Sequence, residues 1–239
     1  EEDNAVCEYV LKRVNGRIPV IVGSGSNCTA SMLEKSLRYQ AMGAQGLLII
    51  APYYNKTNEE GMYRHFATVV DAVDIPCILY NVPGRTGCSI SEGVVKRLAG
   101  HPNVMGIKEA SGNMSYACKI ARYLGPDFAM YSGNDDITVP ILSIGGSGVI
   151  SVLANILPQQ THDMVMAYLS GDTAAATAAQ LRYLELINSL FLEVNPIPVK
   201  AALNMMGWEV GPCRMPLYEM SQGAAQRLRA ALEEAGLLA

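Results

Sequence analysis

Short apolar segments recur along the first 151 residues, and this repetition constrains the fold more than any other feature of the chain. Stretches with helical periodicity separate the segments. Predicted strands start near residues 19, 47, 77, 104, 129 and 148, so one begins every 19 to 30 residues. That spacing is typical of βα units. Each strand is apolar throughout rather than alternating, which predicts a parallel sheet with both faces covered.

The pattern is purely helical from Leu157 onward. Four helices are predicted, over residues 161–170, 173–191, 199–206 and 221–238, and the prolines of residues 195–198 interrupt them after the second. We therefore predict an α/β fold of the TIM (β/α)8 type with its first two βα units missing and a C-terminal helical extension. Strands three to eight would lie in residues 1–156, and the last barrel helix and the extension in residues 157–239. Six strands also satisfy an open doubly wound sheet, which remains the alternative.

The first segment bears on the same prediction. Residues up to Arg13 already have helical periodicity, and the sequence begins with Glu1 rather than an initiator Met. The chain is therefore expected to begin in mid-domain.

Charge and composition argue against two broad classes of function. Lys and Arg number 18 against 22 Asp and Glu, which gives a net charge of −4 without long runs of either sign. This distribution is unlike the basic face of a nucleic-acid-binding protein. No apolar run approaches the ~20 residues of a membrane span, and there is no secretory signal. We expect a cytoplasmic protein with neither nucleic acid nor a membrane as a partner.

The cysteines and histidines lack the spacing of disulfide frameworks and metal sites. The six cysteines contain no Cys-x-x-Cys pair, and most lie beside apolar residues. They are predicted to be reduced thiols in the core or on helices. His65, His101 and His162 are far apart in the sequence, so no zinc or other metal site is predicted.

One lysine lies where a catalytic group is expected. Residues 104–107 predict a short core strand, Lys108 falls at its C-terminal end, and a polar turn ending at Gly112 follows. Catalytic groups of parallel barrels lie at that end of the strands. Apolar neighbours remove water from the ammonium group and are expected to lower the pKa of Lys108, and a neutral amine attacks ketones. The alternative is a strand-end lysine whose charged head reaches water.

Tyr80 ends the preceding strand, and Arg85 lies in the loop after it. In a barrel, Tyr80 and Lys108 would face the same opening. A phenol beside an amine can transfer protons during imine formation. An arginine can bind a carboxylate through two hydrogen bonds. Each residue also has a simpler interpretation, Tyr80 as a core aromatic and Arg85 as an exposed cation, but their matching positions favour a joint role.

Two segments resemble the signature motifs of the dihydrodipicolinate synthase family, one of the pyruvate-dependent class I aldolases that include N-acetylneuraminate lyase. They are residues 79–87 (LYNVPGRTG) and 106–112 (GIKEASG). Supporting matches occur at residues 52–55, 145–151 and 195–200, in the family's order. The resemblance covers essentially the whole chain, and these motifs are highly specific as a set.

The resemblance implies a reaction and the residues that perform it. Lys108 would form a Schiff base with pyruvate, so that a covalent imine takes the place of a cofactor. Tyr80 would donate and relay protons, and Arg85 would bind the carboxylate of aspartate semialdehyde, the second substrate. Ile150, through its backbone carbonyl, and Gly133 would contact the substrate.

The resemblance also implies a quaternary structure. Tyr54 resembles the tyrosine that crosses a tight dimer interface and completes the proton relay of the neighbouring subunit. This implies a homodimer or, as is usual in the family, a homotetramer of two such dimers. Without the resemblance, Tyr53 and Tyr54 would be interpreted only as a surface patch.

Two departures from the family pattern concern activity and regulation. In the family, a threonine in a Gly-Thr-Thr-Gly-Glu turn completes the proton relay, and that turn would lie upstream of Glu1. The chain is therefore expected to be impaired or to lack part of the protein. Asn27 and Tyr53 match positions of an allosteric lysine site, but Ser31 stands where lysine-sensitive members carry glutamate. Inhibition by lysine is therefore predicted to be weak.

Other functions fit parts of the sequence. A related aldolase acting on a sugar acid would keep Lys108 and Tyr80, although Arg85 favours a small anionic aldehyde. The glycines of residues 145–148 suggest a phosphate loop, but they precede the last strand, whereas barrel phosphate sites use the loops after it. A barrel without two of its strands would also suit a non-catalytic binding or assembly module.

Overall fold

The computed structural model describes residues 1–238, which form twelve α-helices and six β-strands. The strands are β1 (Ile21–Gly23), β2 (Gly46–Ile50), β3 (Cys77–Asn81), β4 (Val104–Glu109), β5 (Ala129–Ser132) and β6 (Gly148–Val149). The helices are α1 (Glu2–Val14), α2 (Thr29–Ala41), α3 (Glu59–Val70), α4 (Pro83–Thr86), α5 (Glu92–Leu98), α6 (Met114–Ala121), α7 (Thr138–Ser143), α8 (Pro158–Leu169), α9 (Thr173–Arg182), α10 (Leu184–Ser189), α11 (Ile197–Met205) and α12 (Gln222–Glu234). Short 3-10 turns occur at Asp135–Ile137 and Leu153–Asn155.

The described residues form two compact units. The first comprises Glu1–Gly133 and Ile144–Ser147, and contains β1 to β5 with α1 to α6. The second comprises Asn134–Ser143 and residues 148–238, and contains β6 with α7 to α12. The sequence predicts a different division, after residue 156, between barrel strands and a helical extension. The compact units do not test that division, so it stays a prediction.

The first unit is built on parallel strands that pair in chain order from β1 to β5. Its strands are apolar because both of their faces are covered. Leu47, Ile49 and Leu79, for example, are completely buried. The predicted α/β fold with parallel strands is confirmed in this unit.

The first strand begins later than the sequence predicts. Ile18 is 63% exposed, and the backbone N–H of Val20 donates to the side chain of Gln45 at 2.7 Å rather than to a neighbouring strand. Pro19, between them, has no N–H to donate. Regular pairing therefore begins only at Ile21, opposite Gly46. The other five strands begin within one residue of their predicted starts.

The residues that begin the helices differ from the predicted capping boxes. The sequence suggests that Ser31 starts α2 and that Thr57 starts α3. Instead, α2 begins two residues before Ser31, after Cys28, and no side chain caps it. Asn58 caps α3 by accepting a hydrogen bond from the N–H of Gly61 at 2.9 Å, which is reasonable because asparagine caps at least as well as threonine.

The second unit packs its helices around an apolar core of its own. Twelve buried residues form this core: Leu153, Ile156, Leu157, Tyr183, Leu186, Ile187, Leu190, Val199, Ala202, Leu228, Ala231 and Leu232. The single helix predicted over residues 173–191 is wrong, because the backbone leaves helical geometry at Tyr183 and divides the segment into α9 and α10. The predicted break at residues 195–198 lies between α10 and α11.

The six cysteines are free thiols with different exposures. Cys7 and Cys77 are buried, Cys118 is exposed on α6, and Cys28 is exposed just before α2. Within residues 1–238, no group of three or more His, Cys, Asp or Glu side chains could hold a metal ion. None of the described helices is both long and apolar enough to cross a membrane.

Candidate active site

Lys108 and Tyr80 lie side by side at the carboxyl ends of two neighbouring parallel strands. They are register partners on β4 and β3, and the Nζ atom of Lys108 lies 4.4 Å from the centre of the Tyr80 ring. Both side chains are half-buried. The structure therefore brings together the two residues on which the sequence prediction of imine chemistry depends.

A register shift creates this pairing. Cys77 pairs with Val104, whereas Ile78 pairs with Gly106, so Met105 is an extra residue on β4. A bulge of this kind moves every following residue of the strand by one position. Without it, Tyr80 would lie opposite Ile107, one residue before Lys108.

The environment of Tyr80 favours the protonated phenol. Burial raises the pKa of Tyr80, and the nearby Arg85 guanidinium opposes part of that rise. Arg85 is exposed on α4, the single-turn helix directly after β3. A hydrogen-bond donor and a cation therefore lie next to the same strand end, as the sequence predicts.

Gly133 allows the next strand to approach Lys108 closely. A Cβ atom at this position would lie 3.0 Å from Cε of Lys108 and 2.5 Å from Cβ of Ala110. The N–H of Gly133 donates to the backbone carbonyl of Glu109 at 2.7 Å. Its position beside the lysine agrees with a place in the substrate site, and its predicted contact with substrate stays a prediction.

A second polar pair, which the sequence patterns did not predict, lies one residue further along the same strands. Asn81 and Glu109 are register partners, 0% and 2% exposed respectively. The amide Nδ2 of Asn81 donates to Oε2 of Glu109 at 2.6 Å. Burial raises the pKa of Glu109, while hydrogen bonds from Asn81 and Ser111 act in the opposite direction. The polar residues that directly follow Tyr80 and Lys108, at the ends of two apolar segments, are the sequence signal that points to this pair.

The remaining predicted site residues lie in loops. Tyr54 is 90% exposed and has a positive φ of 69°, and Tyr53 beside it is 41% exposed. The side chain of Asn55 donates to the backbone carbonyl of Asn27 at 2.9 Å, which joins the tyrosine loop to the loop after β1. Ile150 follows β6 in the second unit and is half-buried.

Comparison with known proteins decides the family. The sequence profile of the Dihydrodipicolinate synthetase family matches residues 1–235 of this chain. The chain belongs to the dihydrodipicolinate synthetase family. The resemblance inferred from the motifs is therefore confirmed.

Relatives within the dihydrodipicolinate synthetase family match the whole chain. The 4-hydroxy-tetrahydrodipicolinate synthase of Acetivibrio thermocellus is 47% identical over 238 residues, which cover 100% of this chain and 81% of the relative. The crystal structure of dihydrodipicolinate synthase from Thermotoga maritima superposes with a TM-score of 0.96 at 39% identity, over 99% of this chain and 82% of that one. A structure described as the first monomeric dihydrodipicolinate synthase variant gives the same TM-score and identity, over 100% and 80%.

Proposed function

We infer that this chain catalyses the condensation of pyruvate with L-aspartate 4-semialdehyde to give 4-hydroxy-tetrahydrodipicolinate, a lyase-class reaction of lysine and diaminopimelate biosynthesis. Membership of the family over residues 1–235 supports this function, as does the 47% identity to a relative with that name. The single observation that carries it is the position of Lys108, whose amine lies 4.4 Å from the centre of the Tyr80 ring.

The mechanism begins on Lys108. Its neutral amine attacks the keto carbon of pyruvate, the resulting carbinolamine loses water, and a protonated imine remains. The imine accepts the electron pair released when a proton leaves the methyl group, and this gives an enamine. The enamine carbon then bonds to the aldehyde carbon of the second substrate, and the aldehyde oxygen takes up a proton. The amino group of the semialdehyde attacks the re-formed imine carbon, which closes the ring and releases the amine of Lys108. Because the imine is the electron sink, the mechanism uses no separate cofactor.

Three neighbouring groups would assist these reaction steps. The Tyr80 phenol, which burial keeps protonated, donates a proton to the hydroxyl that leaves as water. Arg85, exposed on α4, binds the carboxylate of the semialdehyde. Gly133 leaves space beside the lysine for pyruvate.

We further propose that the six strands are strands three to eight of a TIM barrel. The parallel pairing of β1 to β5 and the TM-score of 0.96 with a family structure support this assignment. Residues 1–156 would then contribute the barrel strands, and residues 157–239 the last barrel helix and the helical extension.

Tyr54 suggests a homodimer or a homotetramer of two dimers. It is 90% exposed at a strained positive φ, which is unusual for a large aromatic residue with no partner. We propose that it crosses a dimer interface and joins the proton relay of the second copy. Sedimentation of the purified chain should show a dimer or larger species, and a monomer with full activity would contradict this proposal.

The proposed cellular location and regulation follow from other residues. Six free cysteines agree with the reducing cytoplasm. Asn27 and Tyr53 would belong to a lysine site, but Ser31 provides no carboxylate for the amine of the inhibitor. Weak inhibition is therefore expected in a lysine titration, and strong inhibition would contradict it.

Turnover with both substrates tests the proposed function. The purified chain should convert pyruvate and aspartate semialdehyde to product, and Lys108→Arg should be inactive because its guanidinium forms no imine. Arg85→Lys keeps the charge but loses the two-point contact, so it should mainly raise the KM for the semialdehyde. An imine with pyruvate but no turnover would instead favour an aldolase acting on a sugar acid. Absence of any imine would favour a binding module.

A further inference from the structure

The polar pair Asn81–Glu109 lies behind the reactive pair Tyr80–Lys108, and we propose that it positions the reactive pair and the Arg85 loop. In this proposal Asn81 and Glu109 touch no substrate. They act by fixing the carboxyl ends of β3 and β4 relative to each other. The inference rests on the proposed function, because the reaction that it would affect is imine formation on Lys108.

Strand geometry places the two pairs back to back. Successive side chains of a strand point to opposite faces of the sheet. Tyr80 is opposite Lys108, and one residue later Asn81 is opposite Glu109. The first pair is half-buried and the second is almost completely buried. Any slip or separation of the strands at Asn81–Glu109 must therefore also move Lys108 relative to Tyr80.

Both oxygens of Glu109 accept hydrogen bonds from different elements. Oε2 accepts from the side-chain amide of Asn81 at 2.6 Å. Oε1 accepts from the backbone N–H of Ser111 at 2.7 Å and also from the Ser111 hydroxyl. The carboxylate therefore connects the end of β3 with the turn that follows Lys108.

Asn81 extends the network to the arginine loop. Its Oδ1 accepts from the backbone N–H of Ile90 at 2.9 Å, and its backbone carbonyl accepts from the N–H of Ala110 at 2.9 Å. Arg85 lies between Asn81 and Ile90 in the sequence, so the network holds both ends of the loop that carries it. One carboxylate therefore influences the lysine, the tyrosine and the arginine.

The burial of Glu109 needs an explanation beyond core packing. A buried carboxylate is costly unless it is fully hydrogen-bonded, and an apolar side chain would fill the same space at lower cost. Glu109 also ends a strand whose other buried residues are Val104, Gly106 and Ile107. Precise placement of a catalytic group is a reason to retain such a network, because misplacement by about 1 Å can cost 10²-fold in rate.

Each position of the network has a fixed role as hydrogen-bond donor or acceptor. The network can therefore be tested by exchanging these roles between positions 81 and 109. Position 109 must accept on both oxygens, while position 81 must donate to residue 109 and accept from Ile90. In Glu109→Gln, the new amide faces either the Asn81 amide or the Ser111 N–H, so one hydrogen bond is lost. In Asn81→Asp, two carboxylates face each other.

In the double variant Asn81→Asp/Glu109→Gln, positions 81 and 109 exchange their roles as hydrogen-bond donor and acceptor. The glutamine amide introduced at position 109 donates to one oxygen of the aspartate introduced at position 81, and the other oxygen of that aspartate accepts from Ile90. The glutamine oxygen accepts from Ser111. Every hydrogen bond and the net charge are restored. The double variant should therefore recover the rate of imine formation that each single variant loses.

The decisive measurement is the single-turnover rate of imine formation with pyruvate, followed by borohydride trapping at Lys108. We expect Glu109→Gln to slow this rate about tenfold or more and to raise the KM for aspartate semialdehyde, since it moves both Lys108 and the Arg85 loop. The double variant should return to within about threefold of wild type. Far-UV circular dichroism and the thermal midpoint report the folded fraction in each case.

Asn103→Ala is the matched control. Asn103 lies just before β4, at the end of the strand remote from Lys108, and its amide donates to the carbonyls of Val70 and Val73 at 3.0 and 2.7 Å. Its loss should lower the thermal midpoint without changing the rate of imine formation per folded molecule. A purely structural role for Glu109 would give the same result as this control.

Several outcomes would overturn the proposal. If Glu109→Gln forms the imine at the same rate as the wild type, the positioning role is refuted while the proposed function stays intact. A double variant that folds but does not recover the rate would also refute it, and this test holds even if a single variant fails to fold. Failure of the wild type itself to form an imine would refute the proposed function, and the positioning role with it.

Discussion

Burial sets the protonation state of the groups beside Lys108. The pKa of Tyr80 is raised because a buried phenolate would lose its solvation. A phenol that keeps its proton can donate it to the hydroxyl that leaves as water, which a phenolate cannot do. Burial raises the pKa of Glu109 as well, while hydrogen bonds from Asn81 and Ser111 oppose part of that rise. In the proposed mechanism the adjacent residue pairs would therefore have different tasks, proton transfer on one face of the strands and hydrogen-bond acceptance on the other.

Replacement of Tyr80 by Phe tests the proton-transfer role. The variant keeps the ring beside Lys108 but removes the hydroxyl. We expect imine formation to slow by about 10²- to 10⁴-fold, the range for a positioned general acid or base, with little change in stability.

The pH profile provides a second test of the same residue. Because the pKa of Tyr80 is raised above its usual value of about 10, its ionisation should not reduce the wild-type rate below about pH 10. An alkaline decrease centred below about pH 9 that disappears in Tyr80→Phe would contradict this assignment.

Lys108 and Tyr80 could be identified from the sequence because each of them ends an apolar segment. Asn81 and Glu109 stand out as polar residues directly after them, but their pairing could not be predicted, since the hydrogen bond joins residues 28 positions apart and depends on the register of the two strands. That register includes the bulge at Met105, for which the sequence carries no clear signal.

At the scale of elements, the bulge on β4 determines which residues meet. It lies between the pairs Cys77–Val104 and Ile78–Gly106, and it brings Lys108 rather than Ile107 opposite Tyr80. Gly106, directly after the bulge, allows β5 to approach: a Cβ atom there would lie 2.3 Å from the backbone carbonyl oxygen of Ala129. The position of Lys108 therefore depends on a glycine two residues before it.

Gly106→Ala should therefore damage both the sheet and the site. The added methyl meets backbone rather than a flexible side chain, so β4 and β5 must separate. We expect a loss of about 1–3 kcal/mol in the free energy of unfolding and slower imine formation by the molecules that remain folded.

Gly125→Ala is the control for this prediction, because an added methyl there has open space around it. It should change stability by no more than about 0.5 kcal/mol. Equal stability of the two variants, measured by urea or thermal denaturation, would contradict the close approach of β4 and β5.

At the scale of the whole molecule, the chain forms two units with separate cores. The first is organised by parallel strands and the second by helices around the Leu153–Leu232 cluster. The sequence predicted this order, strands followed by helices, because hydrophobic periodicity changes near residue 157. It did not predict the unit limits, since segments 134–143 and 144–147 belong to different units and their separation depends on packing rather than periodicity.

Stability should fall in acid because of His65. This residue is 6% exposed on α3, its Nδ1 lies 2.8 Å from the Thr29 hydroxyl, and burial lowers its pKa. Below about pH 6.5 the unfolded chain takes up a proton that the folded protein does not, so stability present above that pH is lost as pH falls.

The loss from this one group is at most about 1.4 kcal/mol per pH unit. Denaturation of wild type and His65→Asn between about pH 7.5 and 5.5 measures it. The free energy of unfolding of the variant should depend less steeply on pH than that of the wild type. Identical slopes for the two proteins would contradict the role of His65.

The central claim is that Lys108 captures pyruvate as an imine, and chemical trapping tests it most directly. The purified chain is incubated with pyruvate and borohydride, digested, and analysed by mass spectrometry, with Lys108→Arg as the control. We predict a reduced pyruvate adduct on the peptide that contains Lys108 and no adduct in the variant. Absence of an adduct on folded wild-type protein, or an adduct on a different lysine, would contradict the account.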